Sequence, residues 1–151
     1  MTRKIFNILF FFLCTFIFVS CSLEDDIDEI FYGKTWYMNG ATINGMKLNA
    51  DIKNFYTEAG TNAYYITFSP GTFQGVLSSG VTFSGTWSAD GKKHRITLKV
   101  TNNAEIDKTF DKQIFNIISS ITSYESGAEY LLLKEDNDNK VFFGITRSPA
   151  R

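Results

Sequence analysis

Cysteine and histidine are nearly missing from this chain of 151 residues: Cys14 and Cys21 stand near its start, and His94 is the single histidine. A transition-metal site of the usual nitrogen and sulfur ligands cannot be assembled from that stock, so no metal or other cofactor is expected. A serine–histidine–acid arrangement would have to run through His94, which lies between Lys93 and Arg95. Their positive charge discourages protonation and does not help a base, and an exposed strand end is the better account of this residue. Neither Gly-Lys-Ser/Thr nor Gly-x-Gly-x-x-Gly occurs, so the glycines at 71, 75, 80 and 85 read as turns and bulges of a bending sheet rather than a phosphate cradle.

Long apolar runs are confined to the beginning. Arg3 and Lys4 precede a nearly all-apolar stretch from Ile5 to Val19, the charge-then-apolar layout of a secretory signal over residues 1–20. At about 15 residues the run falls short of the roughly 20 that a bilayer-spanning helix needs. The residues closing it, Phe18-Val19-Ser20-Cys21, resemble the bacterial lipobox, with phenylalanine and valine where leucine and alanine are commoner. The resemblance implies cleavage before Cys21, a diacylglyceryl thioether on its sulfur and acylation of the new amino terminus. Several acyl chains, at roughly 0.8 kcal/mol per methylene, hold a protein on a membrane far better than one.

With Cys14 removed and Cys21 acylated, the mature chain of 131 residues (151 less 20) has no disulfide, and its stability must come from a packed core. The 15 Phe and 7 Tyr of the whole chain supply bulk for one, and a single domain over residues 33–148 is expected. Losing Arg3 and Lys4 leaves 13 basic against 16 acidic side chains, a balance of −3 with no basic stripe, which argues against nucleic acid as a partner. Residues 21–32 read as the lipidated cysteine and an acidic tether, Ser22-Leu23-Glu24-Asp25-Asp26-Ile27-Asp28-Glu29. Acidic residues just behind the cysteine also resemble the export signal of Bacteroidota surface lipoproteins. That likeness implies the outer face of the outer membrane; a plain tether would leave the protein on the periplasmic face.

From Trp36 onward short β segments alternate with turn residues. Asn39-Gly40, Asn44-Gly45, Asp90-Gly91 and Ser69-Pro70-Gly71 are turn signals. Period-two patterns put Tyr64, Ile66 and Phe68 on one face of a strand, Val81, Phe83 and Trp87 on another, and Ile96, Leu98 and Val100 on a third. One segment differs: between 104 and 121, Ile106, Phe110, Ile114, Ile117 and Ile121 recur at helical spacing. Asn102 or Asn103 would cap this helix, and Glu105 and Asp107 would lie in its first turn. Two nearly continuous apolar strands, 130–134 and 141–146, follow, and residues 49–62 read as loop. The fold class is therefore mainly β: a small antiparallel barrel or strongly curved sheet of seven or eight strands, with one helix packed on it.

In order and spacing the stretch from Thr35 to Thr146 resembles the META/HslJ-like domains of bacterial envelope lipoproteins. The elements that carry the likeness are Trp36, Ile66-Thr67-Phe68 leading into Gly71-Thr72-Phe73-Gln74-Gly75, Phe83-Ser84-Gly85-Thr86-Trp87, Ile96-Thr97-Leu98, the helix with Phe110, and the pair Leu131-Leu132-Leu133 and Val141-Phe142-Phe143. Many members carry Gly-Cys-Asn where this chain has Ser78-Ser79-Gly80. A lipocalin-like barrel is the alternative, because Gly33-Lys34-Thr35-Trp36 is similar to the opening of such lipoproteins with one residue too many.

Trp36, Tyr64, Tyr65 and Trp87 are the candidate ligand-binding residues, as an aromatic platform at a barrel mouth; filling the core is the competing role, since small barrels have packed interiors. Calcium at Glu135-Asp136-Asn137-Asp138-Asn139 would need Gly and Glu at the sixth and twelfth positions from Asp136, where Val141 and Arg147 stand. That stretch reads as a charged hairpin turn. By elimination the expectation is a non-enzymatic, lipid-anchored envelope module that binds another envelope protein or supports envelope integrity. The alternative is a lipocalin-like carrier of a small hydrophobic or glycan ligand.

Overall fold

The computed structural model describes residues 24–48, 63–136 and 138–147. The apolar leader, Cys21 and the stretch 49–62 lie outside the described residues. Nine strands form one antiparallel sheet: β1 (Thr35–Ile43), β2 (Met46–Leu48), β3 (Tyr65–Ser69), β4 (Thr72–Val76), β5 (Thr82–Asp90), β6 (Arg95–Asn103), β7 (Ser123–Ser126), β8 (Tyr130–Lys134) and β9 (Lys140–Gly144). Neighbours in sequence pair from β3 to β9, β1 pairs with β3, and β9 returns to β1, so eight strands close into a barrel without a free edge. β2 folds back on Ala41 to Ile43, the far part of β1.

The alternation seen in the sequence is the inside-outside alternation of that barrel. Trp36, Met38, Ile66, Phe68, Phe73, Phe83, Trp87, Ile96, Leu98, Leu131, Leu133, Val141 and Phe143 are buried together. Asn44 and Gly45, with φ of 51° and 75°, make the tight β1–β2 turn, and Pro70-Gly71 makes the β3–β4 turn with Gly71 at 70°. One turn expectation is corrected: Asn39-Gly40 lies inside β1, where pairing with β9 shifts register between Met38 and Gly40. Asp90-Gly91 opens the β5–β6 turn over residues 91–94, in which Asp90 Oδ1 accepts the Lys92 and Lys93 amides at 3.1 Å each. Gly85 sits at a second register shift, where a Cβ would stand 2.0 Å from the Lys99 carbonyl oxygen.

Two helices complete the domain. α1 (Ile27–Phe31) is capped by Asp26, whose carboxylate accepts the Glu29 amide at 3.0 Å. Its Phe31 is fully buried, with ring centroids 4.9, 4.8 and 5.3 Å from Phe68, Trp87 and Tyr124. Packing therefore begins before residue 33: the stretch 25–32, which reads in the sequence as tether, is docked on the barrel, where burial of Phe31 contributes ~1.5–3 kcal/mol and Asp26, Asp28 and Glu29 stay exposed.

α2 (Thr109–Ser119) is shorter than the expected 104–121. β6 runs on to Asn103 and Ala104 still donates to the Thr82 carbonyl, so the backbone that was expected to cap the helix continues the sheet ladder instead. Glu105 and Asp107 precede the helix, and Asp111 occupies its first turn. Of the expected stripe, Ile114, Ile117 and Ile121 are buried, joined by Ile118, while Ile106 and Phe110 are partly buried. α2 packs on β6 and on β9, strands that are not neighbours, and so crosses a barrel opening. It also connects β6 to β7, which pair only at Arg95 and Ser123.

Candidate functional site

The docked amino-terminal segment builds a polar cluster on the barrel rim. Asp25 donates its amide to the Gly91 carbonyl at 3.4 Å, and a Cβ on Gly91 would lie 2.4 Å from the Asp25 carbonyl oxygen, so this approach requires glycine. The Asp25 carboxylate then accepts the Tyr124 hydroxyl and the His94 Nδ1–H on one oxygen, each at 2.9 Å. His94 has a φ of 51° and leaves about half of its side chain exposed. Burial, reinforced by the hydrogen bond to Asp25, pushes the Tyr124 phenol well above the ordinary tyrosine range. Beside it, the Lys134 ammonium donates to Glu125 and holds that carboxyl below the usual range.

These side chains line an open cleft of about 460 Å³ with Lys93 and Tyr130 among its walls. Tyr130 stacks on Phe142 with centroids 6.2 Å apart and planes 16° apart; the two are 42% and 41% exposed. The chemistry of the cleft is that of a tie. The Asp25 carboxylate is shared between the His94 ring and the Tyr124 hydroxyl, and Glu125 is paired with Lys134.

A second polar cluster is buried. Asp111 is 1% exposed and accepts the Tyr64 hydroxyl at 2.7 Å on one oxygen and the Ser78 hydroxyl on the other. It joins α2 to the entry of β3 and to the short 3-10 turn Ser78–Gly80, and so fixes the helix over the opening.

The four aromatics suggested by the sequence do not form one platform. Trp36 is fully buried, with Lys34 Nζ 5.5 Å from its ring centroid. Trp87 is packed among Phe31, Tyr32 and Phe68 and donates Nε1–H to the Ser69 carbonyl at 2.8 Å. Tyr64 serves Asp111 and stacks edge-on with Phe110. Tyr65 is half-buried on the outside, edge-on to Tyr37, which has the Arg147 guanidinium 4.6 Å from its ring centroid. Cys21 lies outside the described residues.

At the 135–139 turn Asp136 accepts the amides of Asp138 and Asn139 at 2.9 Å each, and Asn139 accepts the Asn44 amide at 2.9 Å. The acidic stretch thus binds its own backbone and the β1–β2 turn. Among the described residues no three histidine, cysteine or acidic side chains are grouped for a metal, and no helix is long and apolar enough to cross a membrane.

No curated protein matches the chain. A solved structure, a DUF4847 family protein from Bacteroides vulgatus, superposes with a TM-score of 0.66 at 22% identity, covering 82% of this chain and 99% of that one. This likeness shows the fold. A barrel is what the META/HslJ-like and lipocalin-like resemblances imply, and the matching family model is that of neither. Residues 23–146 match the domain of unknown function DUF4847, and the chain belongs to that family.

Proposed function

We propose that the chain is a lipid-anchored envelope lipoprotein whose barrel is a non-enzymatic module for binding another envelope protein or supporting envelope integrity. The observation that carries this reading is the use of the polar groups: Asp25, His94, Tyr124 and Asp111 hold segments of the chain together, and the large aromatics fill the core. A scaffold so committed offers its outer surface for recognition. Phe18-Val19-Ser20-Cys21 supplies the anchor, and the acidic residues behind it favour the cell surface. Protease shaving of intact and lysed cells, following a carboxy-terminal tag, tests this reading. Digestion on intact cells is expected, with release of Cys21→Ala from the membrane fraction; protection until lysis points to the periplasmic face, and an unchanged Cys21→Ala removes the anchor.

One observation favours the carrier of a small hydrophobic or glycan ligand as a second reading. The Trp36 Nε1–H is buried and finds no acceptor among the described residues, which in a dry interior costs about 1–3 kcal/mol. A ligand oxygen reaching it would recover that energy. Native mass spectrometry of the membrane-extracted protein tests this: a co-purifying small molecule supports the carrier, and a bare protein mass opposes it.

A further inference from the structure

We infer that the barrel rests on the headgroup surface of the membrane that holds its lipid, on the face carrying Tyr130 and Phe142, rather than swinging on a free leash. The inference depends on the lipoprotein reading of Cys21. Three residues, Ser22, Leu23 and Glu24, separate Cys21 from Asp25, and Asp25 is fastened to the rim by Tyr124, His94 and the Gly91 carbonyl. Four extended steps reach at most about 14 Å. The acylated cysteine lies at the boundary of the hydrocarbon, and the headgroup layer above it takes up about 5–8 Å of that reach. The cleft beside Asp25 is thereby held at the surface whichever way the rest of the barrel leans.

The side chains on this face suit that position. Tyr130 walls the cleft and stacks on Phe142, and both are exposed, whereas the other aromatic rings of the strands are mostly buried or half-buried. Aromatic rings with a polar rim prefer the headgroup layer, and Lys93 and Lys134 carry apolar stems with ammonium tips that reach phosphate oxygens. Asp26, Asp28 and Glu29 of the docked segment offset much of the lysine charge. The contact therefore depends on the short leash and the aromatic pair, and it persists on zwitterionic lipid.

The membrane-extracted lipoprotein, reconstituted in phosphatidylcholine vesicles that contain a nitroxide-headgroup lipid, provides the test. A fluorescent thiol label is placed on Ser126→Cys, in the cleft, or on Gln74→Cys, on β4, four strands round the eight-stranded barrel from β8. Quenching severalfold stronger at 126 than at 74 is expected. The difference should collapse in the Tyr130→Ser/Phe142→Ser variant, whose changed residues are exposed and whose folding is checked by circular dichroism. Equal quenching at both positions in protein that floats with the vesicles overturns the inference and leaves the anchor intact, and binding of a soluble oligosaccharide to the aromatic pair in that case assigns the face to glycans. Failure of the unaltered protein to float removes the anchor, and with it this orientation.

Discussion

Replacing Phe31 by alanine separates a docked segment from a tether. The ring is fully buried against Phe68, Trp87 and Tyr124, at 4.9, 4.8 and 5.3 Å, and its loss leaves a void that those three rings cannot all close. Truncating a core phenylalanine costs about 3–5 kcal/mol. At about 2.1 cal/mol/K per residue, a folded unit of about 120 residues has an unfolding entropy near 0.25 kcal/mol/K, so the melting temperature should fall by about 12–20 °C. Thermal unfolding of the mature chain, followed by near-ultraviolet circular dichroism, measures it, with Glu24→Gln as an exposed control on the same segment. A Phe31→Ala protein melting within about 2 °C of the parent would refute the reasoning, because a tether contributes nothing to Tm.

Three further outcomes are expected. Asp111→Ala leaves the Tyr64 and Ser78 hydroxyls without their shared acceptor and should lower stability in urea by about 2–4 kcal/mol, whereas Tyr64→Phe, which removes one donor, should lose about 1 kcal/mol. Gly85→Ala drives a Cβ into the Lys99 carbonyl and should destabilise by about 1–3 kcal/mol in the same assay. Because the folded state raises the Tyr124 pKa, its contribution is complete below the ordinary tyrosine value of 10.0 and is lost as pH rises above it, when the unfolded phenol ionises first. Alkaline titration of the tyrosine absorbance should place the Tyr124 phenol among the late ones, and Asp25→Asn should bring it back toward the ordinary range without fully restoring it, since burial is the larger cause.

Much of the barrel could be read from the chain because alternation is a local signal. The strands around Ile66, Phe83 and Ile96 each place apolar side chains at every second position, whereas the nearly continuous run at 130–134 buries only Leu131 and Leu133, and the Asn44-Gly45 and Pro70-Gly71 turns follow from backbone conformations that few other residues adopt. β7 gives no local signal because Ser123-Tyr124-Glu125-Ser126 has a single apolar residue, and the start of α2 is blurred because Asn102 and Asn103 suit a cap as well as a strand end. Asn39-Gly40 has the composition of a turn but is spent on a register shift. The polar ties were beyond local reading: Asp25 meets His94 across 69 positions and Tyr124 across 99, and Tyr64 meets Asp111 across 47. Only the aspartate on an otherwise apolar helix face, Asp111 near Ile114 and Ile118, offered a hint, since a carboxylate in such a place requires partners.

Lipidation of Cys21 can be decided by mass spectrometry of the amino-terminal peptide from the membrane-extracted protein. A peptide that begins at Cys21 and carries the mass of a diacylglyceryl group and an added acyl chain is expected; a peptide that retains residues 1–20, or one that begins at an unmodified Cys21, would rule the anchor out.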